Sequence, residues 1–448
     1  MEGNSRHKRG FVSAVISWPI LAYGGFFIAK TDMRDDMLNN QSTEPESTGQ
    51  NPQALSGIKI LDLSRVLAGP SSTQILADLG AEVIKVERPV VGDETRHWNP
   101  PSFIDEKSGE QTAAYFATVN RNKKSITVDI TTPEGQQLIK KLAADSDVLV
   151  ENFKVGGLKK YGLDYDSLKS VNKRLIYASL TGFGQTGPEA HKPGYDYIIQ
   201  GLSGLMSITG PSDGEPHKVG VAVVDLFAGL QLTVGIQAAL LARANTGVGQ
   251  HVDVALLDSA IAMLANIGMN QLASGKTPPR LGNAHPNITP YQVYATADDS
   301  HFILACGNDA QFAKVCAVIG SPLHEDSRYS SNPSRVENRD SLQQVLTGVF
   351  KTKTREQWLQ LLQQAGVPCG PIHNVTEALA MPQVQARDMI VSFEDSPVRA
   401  LGSPIKLSST PVSYYSAPPA LGADTEAVLQ SMGLSDEQIQ QLREQAVI

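Results

Sequence analysis

Cysteine is scarce in this chain: Cys306, Cys316 and Cys369 are the three among 448 residues. Three cannot build a disulfide framework, and no CxxC pair exists, which places the folded part in a reducing compartment. The nine histidines are scattered, without HExxH or HxH spacing, so no structural or catalytic metal is expected. Basic excess is also lacking. Lys and Arg number 38 against 46 Asp and Glu, a formal net charge of −8. That argues against a nucleic-acid surface, which needs clustered cations. A small anionic ligand held by a few local cations stays compatible with it.

What is present is globular: 41% of residues are hydrophobic, in a chain long enough for several domains or one large one. The N-terminus stands apart. A basic stretch (residues 5–9) precedes the uncharged run Phe11 to Ala29, about long enough to span a bilayer. A polar linker follows. An anchor, a processed targeting segment and an extension outside the working protein all fit, although Pro19 and Gly24-Gly25 weaken a spanning helix. Residues 1–53 are therefore set aside, and any membrane contact is confined to 11–29.

From Gly57 the pattern becomes regular. KILDLS and EVIKVE read as strands, with a helix between them that opens near Pro70 and ends at Gly80. This βαβ unit implies a parallel sheet. KSITVDI, PEGQQLIKKLAADS, DVLVENF, DYDSLKSVN and RLIYASL continue the alternation. The fold class is α/β, with an open, doubly wound, Rossmann-like large domain. A smaller α+β domain follows, with a hairpin in PYQVYATADDSHFILACG and two helices. The domain reading is extension 1–53, large domain 54–280, small domain 281–375, and a return to the large domain with a C-terminal helix over 376–448.

Several motifs carry chemistry. GFGQTG (Gly182 to Gly187) fits GxGxxG, but Pro188, Glu189 and Ala190 lead into a polar loop, so a dinucleotide site is discounted. Arg88 ends the second strand, where a cation suits a ligand phosphate. ENF (Glu151 to Phe153) ends another strand, where open α/β sheets bind ligands. The turn-rich GNAHPN loop (Gly282, Asn283, Ala284, His285 onward) offers backbone N–H groups to a developing oxyanion.

Asp225 is the most informative residue, the lone carboxylate in the apolar run Val219 to Ala242. An unpartnered buried carboxylate costs several kcal/mol or shifts its pKa. Two readings stand locally. Asp225 is the N-cap of the apolar helix, or it is a functional acid kept ionised by that helix N-terminus. The helix itself reads as a core helix buried on all sides.

Taken in order, LDLSRVLAGP, DLGAEVIKVERP, GDETR, NRNKKSITVD, VENF, LTGFGQTGP, GYDY, AVVDLFAG, TGVGQHVDVALLD, GVPCGPI and LGADTE resemble the class III CoA-transferases from Gly57 onward. SGLMSITGPSDGEP and GNAHPNITPYQVYAT resemble the succinate–hydroxymethylglutarate branch. The resemblance implies an interlocked-ring homodimer, with no permanently bound cofactor and coenzyme A thioester as substrate. It carries the nucleophile onto Asp225 and the CoA contacts onto Val66, Arg88, Asn152, Phe153, Lys160 and Tyr195. Leu67 replaces the glutamine of formyl-CoA transferase, and His285-Pro286-Asn287 replaces its glycine-rich loop, which disfavours formate and oxalate. Tyr195 replaces the histidine of the related racemase.

The implied reaction is ping-pong transfer of CoA from an acyl-CoA, succinyl-CoA foremost, to a dicarboxylic acid of the glutarate, hydroxymethylglutarate or itaconate class. It passes through an aspartyl-CoA thioester on Asp225. Gly282 to His285 are the expected oxyanion support and lid; His285 and Arg121 are candidate partners for the second carboxylate. A CoA-dependent racemase using Asp196 and a non-catalytic CoA-binding protein are the alternatives. A mitochondrial location follows from the resemblance, with a cytoplasmic one otherwise.

Overall fold

The computed structural model describes residues 53–448. The apolar segment 11–29 lies outside the described residues. Six short runs rich in Val, Ile and Leu form one sheet: β1 (Lys59–Asp62), β2 (Glu82–Glu87), β3 (Lys123–Thr127), β4 (Val148–Glu151), β5 (Ile176–Thr181) and β6 (His251–Ala255). All neighbouring strands are parallel, in the order β3-β2-β1-β4-β5-β6. Ile60 registers with Val83 on one side and Val148 on the other. Near-continuous apolar runs are what a sheet covered on both faces requires.

Helices cover both faces. α1 (Ala68–Asp78) and a long helix pack on one, through Leu76, Leu232 and Ile236. α2 (Pro133–Ala144) and α3 (Tyr165–Val171) pack on the other, through Leu138, Ile139 and Leu168. α2 starts where the sequence dictates: Thr132 accepts the Gly135 N–H, and Pro133 occupies the first turn. α4 (Asp196–Leu202) precedes the long helix α5 (Val223–Thr246).

α5 departs from the expectation of burial on all sides. Val224, Ala228, Leu232 and Ile236 are buried against the sheet, whereas Leu226, Leu230, Val234 and Leu241 are 40%, 45%, 54% and 71% exposed. Apolar composition all round does not report which face the single chain covers.

A second module holds a three-stranded antiparallel sheet of β7 (Tyr291–Ala295), β8 (His301–Ala305) and β9 (Cys369–Pro371). It has its own core of Tyr294, Phe302, Phe312, Phe350 and Trp358. α6 (Ala265–Ser274) precedes it. The chain then returns to the sheet. Asp424 accepts the Ser125 N–H and Thr425 Oγ1 accepts the Thr127 N–H, both on β3. α7 (Thr425–Ser431) and α8 (Asp436–Glu444) place Leu429 and Ile439 in the core shared with α2 and α3.

Candidate active site

The sheet order reverses between β1 and β4, and loops leaving neighbouring strand ends there open a crevice. A cavity of about 710 Å³ occupies it, lined from Leu63 to Ala68 after β1, Arg88 and Gly92 to Glu94 after β2, and Asn152 to Lys160 after β4. Thr181, Gly182, Tyr195 and Asp225 complete its other wall. Val66, Arg88, Asn152, Phe153, Lys160 and Tyr195, named from sequence, all line this cavity together with Asp225.

The loop after β1 is clamped on two sides. Asn152 accepts the Arg65 N–H at 3.0 Å and donates to the Arg65 carbonyl at 2.8 Å. The Val66 N–H donates to Asp93, whose carboxylate also pairs with the buried Lys85 at 2.9 Å and accepts both Thr95 donors. Burial opposes the Asp93 charge, but Lys85 and Thr95 hold the carboxyl below its ordinary value. Val66 itself has φ +71°, the left-handed region. For a β-branched residue this is a genuine outlier, costing about 1–3 kcal/mol.

Further buried pairs lie beneath: Lys123 with Asp62 at 3.1 Å, Arg96 with Glu87 at 2.7 Å and Arg121 with Asp78 at 2.6 Å. Burial pushes the Lys123 ammonium down to about 8. Glu151, at the end of β4, accepts the Phe153 N–H, and burial raises its carboxyl to about 7.

Asp225 does not cap its helix. It lies in the first turn of α5, whose N-cap residue is Ala222 with no side-chain cap bond. The cap comes from α4: Asp196 Oδ1 accepts the Val224 N–H at 2.8 Å and the Asp225 N–H at 3.3 Å. Nor is the Asp225 carboxyl held below its ordinary value by the helix terminus. Burial, with Asp196 beside it, raises the Asp225 carboxyl to about 7.

Two other expectations meet a different geometry. Arg121 is buried and committed to Asp78 and the Leu401 carbonyl, so it is not free for a substrate carboxylate. Gly282, Asn283, Ala284 and His285 do not line the cavity of the single chain. The His285 N–H bonds the Tyr291 carbonyl, and the neighbouring Asn287 side chain accepts from Asn266 and Asn270 of α6. Burial and Arg339 hold the His285 imidazole below its ordinary value. Sequence reasoning missed Tyr115. Burial raises its phenol above the ordinary value, and the carboxylates of Asp225, Asp196 and Asp93 add to the rise. GFGQTG lacks the geometry of a dinucleotide fingerprint, although Gly182 lines the cavity. No helix follows it, and a Cβ on Gly182 would stand 2.5 Å from Gly194 Cα.

Residues 55–425 match the model of CoA-transferase family III. The chain belongs to that family. It is an enzyme of the CoA-transferase class, whose substrates are CoA thioesters. It is 49% identical over 380 residues to the succinate–glutarate CoA-transferase of Agrobacterium fabrum, covering 84% of this chain and 94% of the relative. Identity to the succinyl-CoA:glutarate CoA-transferase of Homo sapiens is 43% over 392 residues, covering 87% and 88%. A CaiB/BaiF family structure from Brucella suis superposes with a TM-score of 0.76 at 48% identity, covering 86% of this chain and all of that one.

Proposed function

We propose that this CoA-transferase moves CoA from succinyl-CoA to a dicarboxylic acid of the glutarate, hydroxymethylglutarate or itaconate class, with Asp225 as nucleophile. The observation that carries the reading is the convergence of Asp225 with Val66, Arg88, Asn152, Phe153, Lys160 and Tyr195 on one cavity. The glutarate-specific names of its relatives support the substrate class.

An Asp225 oxygen attacks the acyl carbonyl carbon and the C–S bond breaks, giving a mixed anhydride and CoA thiolate. The thiolate attacks the Asp225 carbonyl and the donor acid leaves, so an aspartyl-CoA thioester stands in place of a carboxylate. The acceptor carboxylate then reverses the sequence. A covalent carrier splits one hard step into easier ones. Keeping water from the anhydride demands an apolar surround, which Leu67, Ala68, Leu180 and Leu256 provide. Arg88 and Lys160 line the cavity and are the cations this reading gives to the CoA phosphates.

The working unit is a homodimer in this reading: the apolar face of α5 needs a cover, and the Gly282 to His285 loop needs a cavity to close. Its location is mitochondrial. Asp196, the acid a racemase would require, has its oxygens committed to N–H donors.

Mass spectrometry of the protein incubated with succinyl-CoA tests the scheme. A CoA adduct on Asp225 is expected, with none in Asp225→Ala; its absence from the wild type sinks the covalent route. A panel of acceptor acids tests the substrate class, and acceptance of monocarboxylates alone sinks that.

A further inference from the structure

The carboxylate of Asp196 is a second acid at the N-terminus of the helix that bears Asp225, and the reaction scheme gives it no part. Its Oδ1 accepts from the Val224 and Asp225 N–H groups, and its Oδ2 accepts from Gln200 Nε2 at 2.7 Å. Gln200 Oε1 in turn holds the Val219 N–H at 2.9 Å, so the approach to α5 is tied to α4 at both ends. Tyr115 of the Ala114–Ala117 helix feels the charges of both acids and of Asp93, which is itself paired with Lys85. Among the described residues none donates a hydrogen bond to the Asp225 carboxylate, and Asp196 is the charge that acts on it.

We propose that Asp196 is a positioning residue whose negative charge favours the acylated, uncharged form of Asp225 over the free carboxylate. The proposal rests on the covalent scheme above. In that scheme an acyl-CoA and the Asp225 carboxylate become the aspartyl-CoA thioester and a free donor carboxylate. The C–S bond of the donor is replaced by a C–S bond to Asp225, and the negative charge departs with the donor acid. Neighbouring like charges oppose one another's ionisation, and Asp196 Oδ1 lies 3.3 Å from the Asp225 backbone nitrogen. Moving one of them into solvent relieves that opposition, so the thioester accumulates instead of reverting.

The test is Asp196→Asn, which keeps an acceptor oxygen for the helix and removes the charge. Two readouts must move together: the acid limb of kcat/KM for the acyl-CoA shifts to lower pH, and the fraction of protein trapped as the Asp225 adduct falls. One pH unit in the first corresponds to about tenfold in the second. An adduct of equal abundance and an unmoved acid limb in the variant overturn the proposal while leaving the covalent scheme intact. No adduct in the wild type overturns the scheme itself. If the variant does not fold, Asp196→Ser replaces it, keeping a side-chain oxygen for the Val224 N–H: because burial is the larger cause of the raised Asp225 carboxyl, only an acid limb below that of the wild type supports Asp196, and one equal to it refutes the role.

Discussion

Asn152 holds Arg65 by both of its backbone groups, accepting its N–H at 3.0 Å and donating to its carbonyl at 2.8 Å. The exchange ties the loop after β1 to the loop after β4 where the sheet order reverses. It leaves Val66, one residue on, to make the turn into α1 with a left-handed backbone.

That backbone makes position 66 sensitive to the residue's conformational freedom and not its size alone. Glycine accepts the left-handed region without cost, while an alanine there pays for its Cβ. Thermal denaturation of Val66→Gly and Val66→Ala is expected to rank glycine the more stable by about 1 kcal/mol. Alanine ranking first would mean the strain is absent.

Arg121 is expected to act on stability. Arg121→Met leaves Asp78 charged and uncompensated in a buried setting, a loss of about 3–5 kcal/mol. Denaturant unfolding measures it. A variant of unaltered stability but weakened acceptor binding would restore Arg121 to the substrate side.

Glu151 makes stability depend on pH. Its folded carboxyl is raised to about 7 from 4.5, so its contribution is complete below 4.5 and lost as pH rises through 7. Above that, the buried charge costs about 3 kcal/mol. Glu151→Gln keeps the acceptor for the Phe153 N–H and cannot ionise. Its melting temperature relative to wild type is expected to be higher at pH 8.5 than at pH 5, and a pH-independent difference refutes the assignment.

The apolar face of α5 predicts its own test. Leu230→Glu places a charge in the middle of that face; if the proposed homodimer forms through it, light scattering is expected to read a dimer for the wild type and a monomer for the variant. A dimer that survives the substitution excludes this face from the interface.

The sheet strands could be read because each is an apolar run between turn signals; EVIKVE matches β2 residue for residue. Arg88, Asn152 and Phe153 were legible for the same reason, since strand ends mark the crevice, whereas Val66, Lys160 and Tyr195 came only from the family resemblance. What escaped depends on contacts between distant segments. The capping of α5 by Asp196 spans 28 residues, and the capture of Arg121 by Asp78 spans 43. A cation in a loop looks equally free whether its carboxylate is buried beside it or absent. Tyr115 stood in a stretch without a motif, and only the fold brings it under the influence of carboxylates as far along the chain as Asp225.

One turn beyond Asp225, α5 touches α1 at Gly229. A Cβ there would lie 2.2 Å from Ser71 Oγ and 2.5 Å from the Ala68 carbonyl. Ala68 also lines the cavity, so this glycine is where the helix bearing Asp225 comes down onto the start of α1 at the cavity wall. A side chain at this point would push the two helices apart, and with them the Asp225 wall of the cavity from the Ala68 wall.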